Sequence, residues 1–136
     1  PPSPRGPSGR RCGVPRRPPT LLAHVLEIGG WLQPWSRTPP YVAHLVIVCA
    51  LPMYHSFALT AWFLLGLRAG GTNLLIPNPR DMPGFVKELL KYQINSFPAV
   101  NTLFNGLLHT PGFDQVDFST LTISNGGGMA VQRAVA

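Results

Sequence analysis

Acidic side chains are scarce in this sequence, and their scarcity limits the chemistry that it can support. Five Asp and Glu residues stand against eleven Lys and Arg, a net charge of +6. There is no carboxylate cluster, and none of the four histidines is spaced with cysteines or carboxylates as metal ligands are, so the sequence predicts no metal site. The two cysteines, Cys12 and Cys49, are too few for a disulfide framework and favour a reducing compartment.

Several sequence motifs that would indicate a particular reaction or a cellular location are also missing. The sequence has no G-x-S-x-G nucleophile elbow and no intact Walker A or dinucleotide-binding glycine pattern, which argues against a serine hydrolase and against those nucleotide sites. Pro52 and His55 interrupt the longest apolar region, so we expect no transmembrane helix. The basic start is followed by proline, unlike the apolar segment of a signal peptide.

The positive charge is concentrated near the amino terminus. Residues 1–40 hold six arginines and one glutamate, whereas residues 41–136 are nearly balanced. Residues 1–19 consist mostly of proline, arginine and glycine, so we expect a disordered tail ahead of an α/β domain at 20–136. A nucleic-acid-binding arm is the alternative. It is disfavoured because no aromatic residue lies between the arginines, and no nucleic-acid partner is expected.

The stretch from Leu45 to Gly71 organises the rest of the chain. Its pattern predicts a buried strand over 45–51, a turn at Pro52, and a core helix over 57–67. Further strands and helices alternate after it, in the order βαβαβαβα, with a strand expected to end at Pro98 and a last helix over 129–136. This alternation predicts a mostly parallel sheet with right-handed crossovers.

Two polar features follow strands of this predicted sheet. The first is the pair Tyr54-His55, and the second is the run Asn125–Gly128, whose glycines let a flat or anionic ligand approach the backbone. Because the carboxyl ends of parallel strands share one edge, both features predict a single ligand cleft. A surface turn at the first feature and a flexible connection at the second are the alternatives.

Four segments also carry a resemblance to a known family. LPMYHSFALT (51–60), GGTNLLIPNPRDMPGFVKELLKY (70–92), FPAVNTLFNGLL (97–108) and FDQVDFSTLTISNGGGMAVQ (113–132) resemble the long-chain fatty acyl-CoA synthetases of the AMP-forming adenylate superfamily. They occur in the order of that family, and the resemblance extends over about Thr20 to Ala136. It implies a fragment of the large amino-terminal domain, with a partial, mostly parallel α/β fold.

The resemblance implies a reaction and a set of site residues. Such enzymes activate a fatty acid with ATP and Mg²⁺ to an acyl-adenylate, release pyrophosphate, and let the sulfur of coenzyme A displace AMP. A cytoplasmic location, with peripheral attachment at the inner membrane face as an option, follows from the same resemblance. His55 matches the position beside the acyl carboxylate and is the catalytic candidate. The nucleotide- and acyl-binding candidates are Tyr54, Val100, Asn101, Asn125, Gly126, Gly127 and Gly128.

The sequence departs from the family in its phosphate loop. Over residues 8–17 arginines replace the hydroxyl side chains, Cys12 is inserted, and Arg16 replaces the lysine. Hydroxyl and backbone N–H groups make such loops bind phosphate. The family's later motifs and its small carboxyl-terminal domain lie outside this sequence. We therefore expect no turnover from this chain alone, and association through the apolar faces of the strand at 45–51 and the helix at 57–67. A non-catalytic α/β module that binds acyl groups or nucleotides is the alternative.

Overall fold

The architecture is a four-stranded parallel sheet with helices on both faces, in a computed structural model that describes residues 17–31, 45–128, 130–133 and 135. The strands are β1 (Val46–Cys49), β2 (Thr72–Leu75), β3 (Ser96–Ala99) and β4 (Ile123–Gly126). They lie in the order β2-β1-β3-β4, and every neighbouring pair is parallel. The predicted α/β class is confirmed.

Helices connect the strands, and one of them is interrupted by a π-helical segment. They are α1 (Pro18–Trp31), α2 (three consecutive segments, Ser56–Ala58, the π-helical Leu59–Phe63, and Leu64–Arg68), α3 (Met82–Leu89) and α4 (Asn101–Leu108), with a 3-10 turn at Phe113–Gln115. Thr20, a residue type that commonly caps helices, lies within α1, because the helix begins two residues earlier, at Pro18. Within the described ranges, no helix combines the length and apolarity that a membrane crossing requires.

The two faces of the sheet bury different sets of side chains. Val46 and Val48 of β1 lie in the larger cluster, with α3 and α4, whereas Ile47 and Cys49 lie on the face of α2 with Trp62. This alternation is the period-two pattern of a strand that is covered on both sides. All four residues of β1 are buried, so the association surface expected on this strand is not there. The central strand is core.

An amide of β2 holds the π-helical segment of α2 in place. The Asn73 Nδ2 donates to the carbonyl oxygen of Phe63 at 3.1 Å, and its Oδ1 accepts from the Cys49 thiol at 3.7 Å. Gly66 makes room for this amide, because a Cβ there would collide with Asn73 Oδ1. A π-helical segment leaves backbone carbonyl groups without a partner in the helix, and the Asn73 amide donates a hydrogen bond to one of them, that of Phe63.

The sheet has its topological switch point between β1 and β3. The chain passes from β1 to β2 on one side and returns to place β3 on the other side. Four residue pairs join β1 to β2, but only Ile47 and Ser96 are paired between β1 and β3. Pro98 lies further along β3 and has no N–H to donate. The carboxyl ends of β1 and β3 are therefore not joined by strand pairing. A gap of this kind at a switch point is the place where open α/β sheets bind ligands.

Three predicted boundaries are wrong. Pro98 does not end its strand, because β3 continues to Ala99 through pairing with β4, in which Pro98 lies opposite Asn125. That pairing also draws Asn125 and Gly126 into β4, although the sequence placed them in a connection. Residues 130–133 form no helix. The tail at 1–16 lies outside the described residues.

Candidate functional site

The turn after β1 places His55 at the start of α2. The His55 amide donates to the Pro52 carbonyl oxygen at 2.9 Å, which closes the turn. The His55 Nδ1 accepts from the Phe57 amide at 3.2 Å, so this side chain caps the helix. A ring nitrogen that accepts carries no proton, so in the neutral imidazole the proton is on Nε2. His55 therefore presents a donor, and both it and Tyr54, which is 80% exposed, lie at the surface.

The glycine run after β4 approaches this same helix. The Gly127 amide donates to the Ala99 carbonyl oxygen at 3.1 Å, which fixes the run beside the end of β3. A Cβ on Gly127 would lie 2.7 Å from Phe57 Cζ, so the glycine lies directly against that aromatic ring. The two features predicted to share a cleft are thus joined through Phe57. The sequence reasoning missed Phe57, although an aromatic residue two positions after His55 was the available signal.

The start of α4 forms the third part of the site. Val100 is the extended N-cap residue of this helix, and its Cγ1 would lie 3.7 Å from a Cβ on Gly128, which has a φ of +81°. Asn101 is buried, and its Oδ1 accepts from the Gln132 amide at 2.9 Å. Asn101 therefore fastens the segment after the glycine run. Asn125 is exposed on β4.

An apolar depression lies at the switch point. Its walls are Val48, Cys49, Ala50 and Leu51 from β1 and the residues after it, Ala58 and Trp62 from α2, and Pro98 from β3. The space between these atoms, counted out to open solvent, is about 180 Å³, and none of it is wide enough for a water molecule. No sequence pattern predicts this depression, because it depends on how few residues of β1 and β3 are paired.

Cys49 is a core thiol. Burial raises its pKa from 9.0 to about 11. The thiolate is the reactive form of cysteine, and at neutral pH this residue is almost entirely protonated. Cys49 is therefore a small apolar side chain of the wall and not a nucleophile, as its place in the predicted strand indicated.

A parallel α/β sheet with a glycine run and an apolar crevice at the carboxyl ends of its strands defines a ligand-binding domain of the open α/β class. The model of the family described as AMP-binding enzyme matches residues 8–136, and the chain belongs to that family. The predicted resemblance is confirmed.

Curated relatives refine this assignment. A long-chain-fatty-acid–CoA ligase of Escherichia coli is 58% identical over 91 residues, which are 67% of this chain and 16% of the relative. The ligase of the same name from Haemophilus influenzae is 57% identical over 89 residues. A 4-coumarate–CoA ligase of Petroselinum crispum is 33% identical over 82 residues, or 60% of this chain. The chain spans about one sixth of the length of these relatives.

Solved structures show the same fold. The amino-terminal domain of FACL13 from Mycobacterium tuberculosis superposes with a TM-score of 0.61 at 21% identity, covering 76% of this chain and 25% of that one. A red-emitting luciferase from Phrixothrix hirtus gives a TM-score of 0.58 at 24% identity, over 74% of this chain and 23% of the luciferase. The parallel sheet described above is thus part of a larger domain in these proteins.

Proposed function

We propose that this chain is the acyl-adenylate-binding part of a ligase that activates long-chain fatty acids with ATP and transfers them to coenzyme A. The observation that carries the proposal is the contact of Gly127 with Phe57, which brings the histidine turn and the glycine run to one sheet edge. The 58% identity with long-chain-fatty-acid–CoA ligases supports the choice of fatty acid as substrate.

Each candidate residue has a role that its geometry allows. The Nε2–H of His55 donates to the carboxylate of the fatty acid, because Nδ1 is used by the cap. The exposed backbone of Gly126 and Gly128 receives the adenine, while Tyr54 and Asn125 border it from the surface. Val100 lies along the acyl group, and Asn101 positions the glycine run through Gln132.

The nucleotide fits these residues better than a bound metal does. Gly126 and Gly128 are exposed, and a Cβ on Gly128 would meet only Val100 Cγ1 at 3.7 Å, so a flat ring can approach the backbone there, whereas Val131 and Phe57 fill the corresponding space on Gly126 and Gly127. Among the described residues, no three His, Cys, Asp or Glu side chains come together. Mg²⁺ is usually held by one or two carboxylates and the phosphates of its nucleotide, so it would arrive with ATP.

Binding and exchange assays test the proposal separately. A non-hydrolysable acyl-adenylate analogue and AMP are titrated against the 136-residue chain by calorimetry. We expect His55→Ala to weaken the acyl-adenylate analogue about tenfold and AMP by less than twofold, because one hydrogen bond to a charged group contributes about 1.5–3 kcal/mol. Exchange of pyrophosphate into ATP should be absent from the chain alone. Equal losses for both ligands would overturn the assignment of His55.

The second candidate is a non-catalytic module that binds acyl groups or nucleotides. The arginines of residues 8–17, which stand where hydroxyl side chains bind phosphate in the family, favour it. Binding without exchange, even when the rest of a related ligase is supplied, would support this candidate. A cytoplasmic location with peripheral membrane attachment is also proposed, and co-sedimentation with anionic vesicles tests the attachment.

A further inference from the structure

The outer edge of β2 is open in the part of the sheet that the structure describes. β2 pairs with β1 on one side, and no described strand lies on its other side. The amides of Thr72, which begins the strand, and Ile76, which follows it, donate to carbonyl oxygens at the start and the end of β1, at 2.7 and 3.1 Å. Alternate residues of a parallel strand direct their backbone groups to opposite sides. The N–H and C=O groups of Asn73 and Leu75 therefore point away from β1.

Within the described stretch 71–77, only these two residues offer an outward N–H group. Before them, the Gly71 amide donates to the Gly66 carbonyl oxygen at 2.9 Å, a bond that ends α2. After them, Pro77 has no N–H to donate. The edge therefore presents one donor and one acceptor on Asn73 and the same on Leu75, at a fixed spacing.

Such an edge is complementary to a second copy of itself. In an antiparallel ladder, two opposite residues whose backbone groups face each other exchange both of their N–H···O bonds. When Asn73 lies opposite Leu75 of the second copy, Leu75 lies opposite Asn73 of that copy, because the two chains are related by a twofold axis. Leu74 then lies beside the axis, opposite itself. This register is the one in which both outward amides find an acceptor.

The side chain of Leu75 and the charge of the strand also favour a second copy as the occupant. Leu75 is 53% exposed, and it lies on the same face of the sheet as the Asn73 side chain, which bonds α2. In the register described, Leu75 lies across from Asn73 of the second copy and loses part of that exposure. Residues 72–76 carry no charged side chain, so two copies of the strand meet without repulsion, and each N–H dipole meets a carbonyl of opposite sign.

We propose that β2 pairs antiparallel with β2 of a second copy of this chain, with Leu74 beside the twofold axis, so that the two sheets become continuous. One strand from each copy forms the contact. Interfaces that bury less than about 1,200 Å² are characteristic of transient complexes, so the dimer is weak and forms as the concentration is raised. No ligand takes part in the contact, which makes it independent of the proposed function.

The first experiment tests the register by disulfide formation in a Cys12→Ser/Cys49→Ala background. The two Leu74 Cα atoms of the dimer are about 4.5 Å apart, and disulfides span Cα separations of about 4.4–6.8 Å. Leu74→Cys should therefore give a covalent dimer on mild oxidation, seen by non-reducing electrophoresis. Thr72→Cys is the matched control on the same strand, because its two copies are about 14 Å apart, and it should give at least tenfold less dimer. Comparable yields from the two variants, or no dimer from either, would overturn the proposal.

The second experiment removes the outward donor of Leu75. Leu75→Pro deletes this N–H without breaking a bond to β1, and β3 already contains Pro98 within its length. We expect the dimer Kd to rise about tenfold, because one hydrogen bond is lost from each copy. Leu75→Val keeps the amide and an apolar side chain, and as the matched control it should change the Kd less than threefold.

Sedimentation equilibrium of the parent chain and the two Leu75 variants measures these constants. The urea midpoint shows whether Leu75→Pro is folded, and the cysteine experiment decides the question if it is not. A folded Leu75→Pro chain that dimerises as tightly as Leu75→Val would show that the β2 backbone does not form the contact. A parent chain that stays monomeric as its concentration is raised would overturn the proposal outright.

Discussion

Gly127 shows how a single missing Cβ joins two parts of the site. Substitution by valine places new atoms against the ring of Phe57, and a Cβ alone already comes within 2.7 Å of Phe57 Cζ. We expect Gly127→Val to weaken the acyl-adenylate analogue at least tenfold and to lower the free energy of unfolding by about 1–3 kcal/mol, as overpacking does. Calorimetric titration and urea denaturation measure the two effects.

Two further variants test the origin of the Gly127 effect. Phe57→Leu should restore part of the binding of Gly127→Val if displacement of the ring is the cause. Gly30→Ala is the control, because Gly30 lies in α1 with no atom within 4 Å of the added Cβ, and it should stabilise the helix by about 0.5–1 kcal/mol. Binding of the ligand by Gly127→Val at the parent affinity would reduce the glycine run to a turn.

Cys49 gives a prediction about pH. Its pKa is raised from 9.0 to about 11 in the folded chain, so folding retains a proton that the unfolded chain loses. The contribution to stability is complete below pH 9 and is lost as pH rises towards 11. In a Cys12→Ser background, we expect the urea midpoint to fall over this interval, and to fall less in a Cys49→Ala variant. Because the thiolate is the form that reacts, the raised pKa also predicts that iodoacetamide alkylates Cys49 in the folded chain at pH 8 about a hundredfold more slowly than in the unfolded chain.

Parallel midpoints for the thiol-containing and Cys49→Ala chains between pH 9 and 11 would contradict the pH prediction. The sequence was enough to predict that Cys49 is buried in a strand, because three consecutive β-branched residues, Val46 to Val48, come directly before it. It was not enough for Asn101, whose buried bond to the Gln132 amide crosses 31 positions of the chain. Local patterns carry no information about such a pairing.

At the scale of elements, Asn73 and Gly66 form a coupled pair. Gly66→Ala alone drives a Cβ into the Asn73 amide, whereas in an Asn73→Ala chain that collision is gone. We expect a double-mutant cycle on the free energy of unfolding to give a coupling of about 1–3 kcal/mol, with the double variant more stable than the two single losses predict. Urea denaturation of the four proteins measures it.

The control for this cycle is Gly30→Ala combined with Asn73→Ala, which should be additive within about 0.5 kcal/mol because the two sites share no partner. Additivity at Gly66 would show that the amide does not hold the π-helical segment.

The sequence predicted the helix α2 but not its π-helical segment. Neither the apolar run nor Gly70, which follows the helix, indicates where a side chain from β2 inserts. Tertiary contact decides this feature.

At the scale of the whole molecule, the exposed apolar side chains predict association. β1 is buried, so the surface lies instead on α1, the end of α2 and β2, where Leu26, Trp31, Leu67 and Leu75 are 47–78% exposed. Leu75 is on β2, an edge strand of the described sheet, and unpaired strand edges with apolar side chains promote association. We expect Leu75→Lys to lower the average mass measured by sedimentation.

Thr72→Lys, an equally charged change at an exposed residue of the same strand, is the matched control and should lower the mass less. A monomeric parent chain with a concentration-independent melt would show that these side chains do not drive association.

The alternation of strands and helices was sufficient to predict the class of fold at this scale. The strand order was not predictable from it, because either side of β1 was available to β2.

The central position of β1 also has a consequence for synthesis. Thr72, the first residue of β2, follows Val46 by 26 positions. Asn95, which precedes β3 and accepts a hydrogen bond from the Val46 amide, does not follow until 49 positions after Val46. At about 5–20 residues per second, the ribosome leaves one side of β1 unpaired for roughly 2–10 seconds. A strand that is buried at every position of the finished sheet therefore waits longest for one of its partners, and during this interval it is a binding site for a chaperone that covers apolar segments.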